Sequence, residues 1–111
     1  EILFAAQIKK YINLNYQDCE LSLEKISAHF GYNKNYVAGV FKKAANISIG
    51  KYIMSIRIQN ACTLADNNIS SVKDIAYLCG FSDPLYFSKS FKKYIGQSPK
   101  DFIKNIKNSK Q

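Results

Sequence analysis

Apolar residues along this chain fall into short runs with helical spacing, and the same run occurs twice. Leu23, Ile26, Ser27 and Phe30 occupy positions 0, 3, 4 and 7 of one run, and Val72, Ile75, Ala76 and Cys79 restate it. Each run ends at a glycine, Gly31 or Gly80, which supplies the positive φ that a tight helix–helix turn needs. Beyond each turn comes a second helical stripe: Val37, Val40, Phe41 and Ala44 in the first case, Phe87, Ser90, Phe91 and Tyr94 in the second. The opposite faces carry Lys34, Asn35, Ala38, Gly39 and Lys42, and then Leu85, Ser88, Lys89 and Lys92. Asn33 is the expected N-cap of the first of these helices. Ser82 is the expected N-cap of the second, with Asp83 and Pro84 in its first turn and Gly96 at its C-cap.

The remaining pattern is helical too. Residues 2–15 place Phe4, Ile8, Tyr11 and Ile12 on one face, with Lys9, Lys10 and Asn13 opposite. Asn15–Glu20 is polar and reads as a loop, and Ser22 caps the helix that follows. From Ser48 to about Asp66 runs a longer helix with Ile49, Tyr52, Ile53, Ile56, Ala61, Leu64 and Ala65 along one side, broken at Asn67-Asn68. Ser71 and Asp74 have the spacing of a capping box. Pro99 opens a last short helix through Phe102, Ile103 and Ile106, and the polar end from Asn105 to Gln111 is expected to fray. The expected fold is therefore all-α, with about seven helices.

Alignment makes the duplication explicit. Setting 22–53 against 71–103, with one extra residue at Pro84, matches Ser22 with Ser71, Ile26 with Ile75, Gly31 with Gly80, Tyr36 with Tyr86 and Phe41 with Phe91. Lys42-Lys43 falls on Lys92-Lys93, Ser48 on Ser98 and Ile53 on Ile103. The matches lie on turn, core and lysine positions, which is what two copies of one structural unit produce. A helix, a glycine turn and a second helix with a polar outward face make a helix-turn-helix. The expected organisation is a first subdomain at 1–47, a connecting helix at 48–66 and a second subdomain at 67–111. A connecting helix of that length spans about 28 Å at 1.5 Å per residue. Successive major grooves on one side of B-DNA are about 34 Å apart.

Charge narrows the partner. Sixteen basic residues against eight acidic ones give a net charge of +8 and a pI near 9.4, which points to a polyanion, nucleic acid first and an anionic membrane second. With 47% apolar residues in 111, the chain has material for a modest core and is not generally disordered. No apolar run reaches the length of a membrane span, and no signal-peptide pattern opens the chain. The abrupt start at Glu1, with no initiator Met, gives the expectation of a piece of a longer protein.

Catalytic chemistry has little to stand on. Cys19, Cys62 and Cys79 are odd in number and far apart, without zinc spacing; Cys79 aligns with Phe30 and reads as a small core residue, and a reducing cytoplasm is expected. His29 has no second ligand and no paired nucleophile. The expectation is no enzyme, no metal and no cofactor. Tyr36 and Tyr86 suit the edge of the core with the hydroxyl outward, and Arg57 suits a structural or phosphate-facing role.

The run IAYLCGFSDPLYFSKSFKKYIGQSPKDFI, with FKK at Phe41–Lys43 and Tyr52, Arg57-Ile58, Ala61 and Leu64 in the connecting helix, resembles the AraC/XylS family of bacterial transcription regulators over Ser22–Lys104. The resemblance implies a monomeric DNA-binding unit of two helix-turn-helix subdomains joined by the central helix, with both recognition helices in adjacent major grooves of promoter DNA. It implies base-facing positions at Asn35, Ala38 and Gly39 in the first and at Pro84, Leu85, Ser88 and Lys89 in the second. Lys34, Lys42, Lys43, Lys92 and Lys93 are the expected phosphate contacts. Ala38-Gly39 departs from the family, whose members often carry a large polar or arginine side chain there. Neither residue makes a bidentate base contact. The first helix is therefore expected mainly to position, leaving Asn35 and Lys89 as the hydrogen-bonding readers. A cytoplasmic regulator that contacts RNA polymerase is implied, with any sensing or dimerising domain upstream of Glu1. The alternatives are a basic helical adaptor or membrane-surface module, or the DNA-targeting part of a larger repair enzyme.

Overall fold

The computed structural model describes residues 1–109, and among them there are seven α-helices and no strand. The chain divides into two compact units, one from Glu1 to Ile56 and one from Arg57 onward. The boundary falls within a single continuous helix.

The first unit contains α1 (Ile2–Asn15), α2 (Leu23–Phe30), α3 (Lys34–Ala45) and the opening turns of α4 (Ile49–Asp66). Ser22 Oγ accepts the Lys25 N–H at 3.1 Å to start α2. The Gly31 and Tyr32 N–H groups both return to the Ser27 carbonyl, with Gly31 at φ 75°, so the helix stops in a left-handed turn. Asn33 Oδ1 then accepts the Asn35 N–H at 2.8 Å and opens α3. Ile8, Ile12, Ile26, Val37 and Phe41 interlock in the centre, closed from the far side by Ile49 and Ile53 of α4. Burying side chains of this size stabilises by about 1.5–3 kcal/mol each.

The second unit contains the rest of α4, then α5 (Val72–Leu78), α6 (Pro84–Ile95) and α7 (Pro99–Ser109). Its centre is a chain of rings. Phe81 meets Phe87 at 5.0 Å between centroids, Phe87 meets Phe91 at 5.7 Å, and Phe91 meets Phe102 of α7 edge-on at 5.3 Å. Ile75 and Ala76 of α5 and Cys79 at its C-cap seal one side, with Ile58, Ala61 and Ala65 of α4 also buried. Gly80 takes φ 96° in the turn between α5 and α6, as its alignment with Gly31 predicts.

The repeat reaches further upstream than the aligned residues. Ala5, Ile8 and Ile12 are buried in α1, and Ile58, Ala61 and Ala65 are buried in α4, each 53 positions later. Half-buried Phe4 and Tyr11 correspond in the same way to half-buried Arg57 and Leu64. Each unit is thus a four-helix arrangement. The second half of α4 does for the second unit what α1 does for the first.

Four local expectations need correction. The N-cap of α6 is Asp83, whose Oδ1 accepts the Leu85 N–H at 3.0 Å, and not Ser82; Pro84 then takes N1, where its missing N–H costs nothing. Ala44 and Tyr94, the fourth positions of the two inward stripes, are exposed, because the last turn of α3 and of α6 runs past the core. The connecting helix begins at Ile49, with Ser48 Oγ capping the Lys51 N–H at 3.2 Å. The polar end does not fray from Asn105. Helix α7 continues to Ser109, supported by half-buried Ile106 and a 2.7 Å hydrogen bond from Asn105 Nδ2 to Gln97 Oε1. Lys110 and Gln111, part of that expectation, lie outside the described residues.

Candidate nucleic-acid interface

Helices α3 and α6 have the geometry of readers. Each is 12 residues long, opens on an Asx cap and closes in a left-handed C-cap. Asn46 at φ 59° closes α3 through its N–H to the Lys42 carbonyl at 2.8 Å, and Gly96 at φ 95° closes α6 through its N–H to the Lys92 carbonyl at 2.8 Å. The sequence marks this C-cap less plainly than the others, because asparagine is a weaker signal for it than glycine. Asparagine tolerates the same conformation.

Each inner face is fixed before any partner arrives. Val37, Val40 and Phe41 hold α3 down, and Phe87, Ser90 and Phe91 hold α6. On the outer face of α3, Asn35 and Gly39 are exposed and Ala38 is half-buried. A Cβ at Gly39 would meet nothing within 4 Å, so packing does not require glycine there. On α6, Leu85 and Lys89 are exposed, while Pro84 and Ser88 are half-buried. Leu85 is 65% exposed, an aliphatic side chain turned to solvent on the helix that Phe87 and Phe91 hold down from the other side.

The five lysines expected at phosphates, Lys34, Lys42, Lys43, Lys92 and Lys93, are all exposed. None of them, and not Lys89, makes an ion pair among the described residues; the ion pair found is Lys25 with Asp18, at 2.7 Å, on the edge of α2. That carboxylate, hydrogen-bonded to the ammonium, raises the Lys25 pKa. Lys42-Lys43 and Lys92-Lys93 lie in the last turns of their helices, where cations complement the helix dipole.

Tyr36 and Tyr86 stand at matched places and both are about half exposed. Tyr36 leans on Tyr32 at 5.4 Å and lies parallel to Phe4 at 6.1 Å, while Tyr86 leans on Phe81 at 6.0 Å. Arg57 has a structural contact, its guanidinium 5.8 Å from the centre of the Phe81 ring. His29 stacks on Tyr11 at 4.1 Å and meets Phe30 edge-on, which accounts for it without a ligand.

No group of three or more metal-binding side chains occurs among the described residues. Cys79 is fully buried, and burial pushes its thiol up to about 12, with Cys62 adding to the shift and Arg57 opposing it. Such a thiol stays protonated and is no nucleophile at neutral pH. Among the described residues no helix is long and apolar enough to cross a membrane.

This geometry has known counterparts. Residues 26–105 match the family described as a helix-turn-helix domain. The chain is 36% identical over 106 residues to the Msm operon regulatory protein of Streptococcus mutans, covering 96% of this chain and 38% of that protein. It thus spans well under half the length of this relative. In three dimensions it resembles the C-terminal domain of AraT, a response regulator from Geobacillus stearothermophilus. The TM-score is 0.88 at 25% identity, over 91% of this chain and 84% of that one. It has the same fold as the DNA-binding domain of AdpA, a global transcriptional factor solved in complex with a target DNA. There the TM-score is 0.88 at 17% identity, over 95% of this chain and 94% of that one. The chain belongs to the AraC/XylS-type helix-turn-helix family of transcription regulators, and it is their non-enzymatic, DNA-binding domain.

Proposed function

We propose that this domain binds promoter DNA sequence-specifically, with α3 and α6 entering neighbouring major grooves. The observation that carries the reading is the doubled reader helix. Two N-capped helices of equal length each turn an unpaired lysine face outward from a fully packed inner face. In this reading Asn35, Ala38 and Gly39 face bases from α3, and Pro84, Leu85, Ser88 and Lys89 face them from α6. Lys34, Lys42, Lys43, Lys92 and Lys93 hold phosphates. The reading divides the DNA-binding parts into 1–47 and 67–111, with 48–66 as the shared connector whose two halves complete the two cores.

Readout is unequal. Lys89 suits guanine O6/N7 and Asn35 suits adenine, while Leu85 and Pro84 suit thymine methyls. Ala38-Gly39 offers no bidentate donor, so α3 mainly sets position. The whole protein regulates a bacterial operon from the cytoplasm by contacting RNA polymerase beside the promoter, with the DNA-binding domain monomeric and dimerisation supplied by another domain. The regulation of an operon is supported by the relative from Streptococcus mutans, whose name is that of an operon regulatory protein.

Selection from a random duplex library, followed by titration of the winner against a scrambled duplex at fixed salt, tests the reading. The expected result is a split motif with halves one helical turn apart and stronger enrichment in the half under α6. With about six phosphate contacts, the log–log salt slope should be about −5. Absence of any enriched motif overturns the proposal and favours a basic adaptor.

A further inference from the structure

The basic charge of the second unit does not stop at α6. Between Pro84 and Ser109 six lysines face a single acid, Asp101. Three of them lie on α6. The other three, Lys100, Lys104 and Lys107, are spaced at i, i+4 and i+7 on α7, which sets them in one stripe. All three are exposed, and none makes an ion pair among the described residues.

The stripe runs beside the buried side of α7 and not through it. Pro99 and Ile103 are buried, and Phe102 is fixed against Phe91. The helix is therefore anchored, and its lysines project from a rigid support. The repeated fold does not require the first two: Lys100 and Lys104 align with Gly50 and Met54, while Lys107 falls on another basic residue, Arg57. Like charges at i, i+4 work against a helix, so the stripe is a local liability until an anion lies along it.

We infer that α7 is a second anion-binding surface, which grips the backbone of the duplex flanking the site read by α6. It rests on the reading of α6 as a groove reader. From Lys100 to Lys107 the stripe is about 10 Å long at 1.5 Å per residue. That length of B-DNA axis carries about six phosphates, enough for every lysine to find one. A bilayer is the poorer fit. A helix lying in a membrane interface needs an apolar face to insert, and the apolar face of α7 is already spent on Phe91 and the core.

The test compares two duplexes: the minimal selected site, and the same site extended by random sequence beyond the half read by α6. Wild type and the triple variant Lys100→Gln, Lys104→Gln, Lys107→Gln are titrated on each across salt, with circular dichroism and a thermal melt to verify folding. On the extended duplex the variant's log–log slope should be shallower by up to about 2.7, or about 0.9 per phosphate released. On the minimal duplex the two proteins should coincide, with the preferred sequence unchanged. The triple Lys→Arg variant should restore the wild-type slope.

Equal slopes for wild type and variant on the extended duplex would overturn the inference while leaving the site preference intact. So would a loss of the same size on both duplexes, or a variant that loses only its binding to phosphatidylserine vesicles. A wild-type protein with no sequence preference at all would instead remove the reading of α6, and this inference with it.

Discussion

In the first unit the turn aromatic is Tyr32, 54% exposed beside Phe4 and Tyr36; in the second it is Phe81, 4% exposed beneath the Arg57 guanidinium. The same backbone turn thus carries an open aromatic patch in one copy and a sealed one in the other. The readers differ in the same spirit. Helix α3 presents Ala38-Gly39 where α6 presents Ser88-Lys89. What the copies share is what folding needs: the Ser cap, the glycine turn, the buried phenylalanine and the positive-φ C-cap. What they do not share faces outward. The duplication preserves a frame and leaves its surfaces free to diverge.

The largest test of that equivalence is the matched pair Phe41→Ala and Phe91→Ala. Both rings are almost completely buried, and each truncation should cost about 3–5 kcal/mol in urea unfolding. A cost well below that for one alone would break the symmetry of the cores. Next comes the contrast within α6. Lys89→Ala should lose about 1–3 kcal/mol on the preferred site and relax choice at one base pair, whereas Lys92→Ala should weaken all sequences alike. Equal losses on specific and random duplex for Lys89→Ala would remove its base-reading assignment.

The second core also holds the more sensitive titrating group. Because the Cys79 thiol is raised from an ordinary 9.0 to about 12 in the folded state, folding retains a proton that the unfolded chain releases. This contribution is intact below pH 9.0 and is lost as pH rises towards 12. One proton limits the slope to about 1.4 kcal/mol per pH unit. Cys79→Ala should flatten the stability curve above pH 9, relative to wild type, and a curve of unchanged steepness would discard the assignment.

Smallest are two substitutions in the first unit. Gly39→Ala should stabilise by up to about 1 kcal/mol, since the site is helical and open. Ser27 Oγ is buried without a hydrogen-bond partner where the second unit has Ala76, so Ser27→Ala should raise the melting temperature slightly. A drop in melting temperature for either would show that its side-chain environment has been misjudged.

Much of this was legible in the sequence, for identifiable reasons. Gly31, Gly80 and Gly96 mark turns because only a positive φ closes a helix so abruptly, and the spacing of Phe41 and Phe91 marks the inward stripes. The correspondence of α1 with the second half of α4 was not legible. What repeats there is burial and not residue type: Ile8 answers to Ala61, and Phe4 to Arg57. Ala44 and Tyr94 misled because periodicity gives a direction around the helix but not where the neighbouring helix ends. Ser82 and Asp83 are both good caps in sequence, and only the position of Pro84 at N1 decides for Asp83. At the interface, the exposure of Asn35, Leu85, Lys89 and the terminal lysine pairs followed from the pattern. The lysine stripe of α7 is hidden in the sequence, because the polar composition from Asn105 onward gives no sign that the helix continues to Ser109.

The empty space above Gly39 has a consequence for the history of such a domain. A position on a reader helix that touches nothing inside the protein is free of the usual conflict between staying folded and acquiring a new contact. A one-base change there to arginine or serine would add an outward polar side chain, a probe for the groove in the proposed reading, while every core residue keeps its neighbours. If α3 faces a groove as proposed, the first unit is an unwritten address, which a lineage can fill by small, separately tolerated steps.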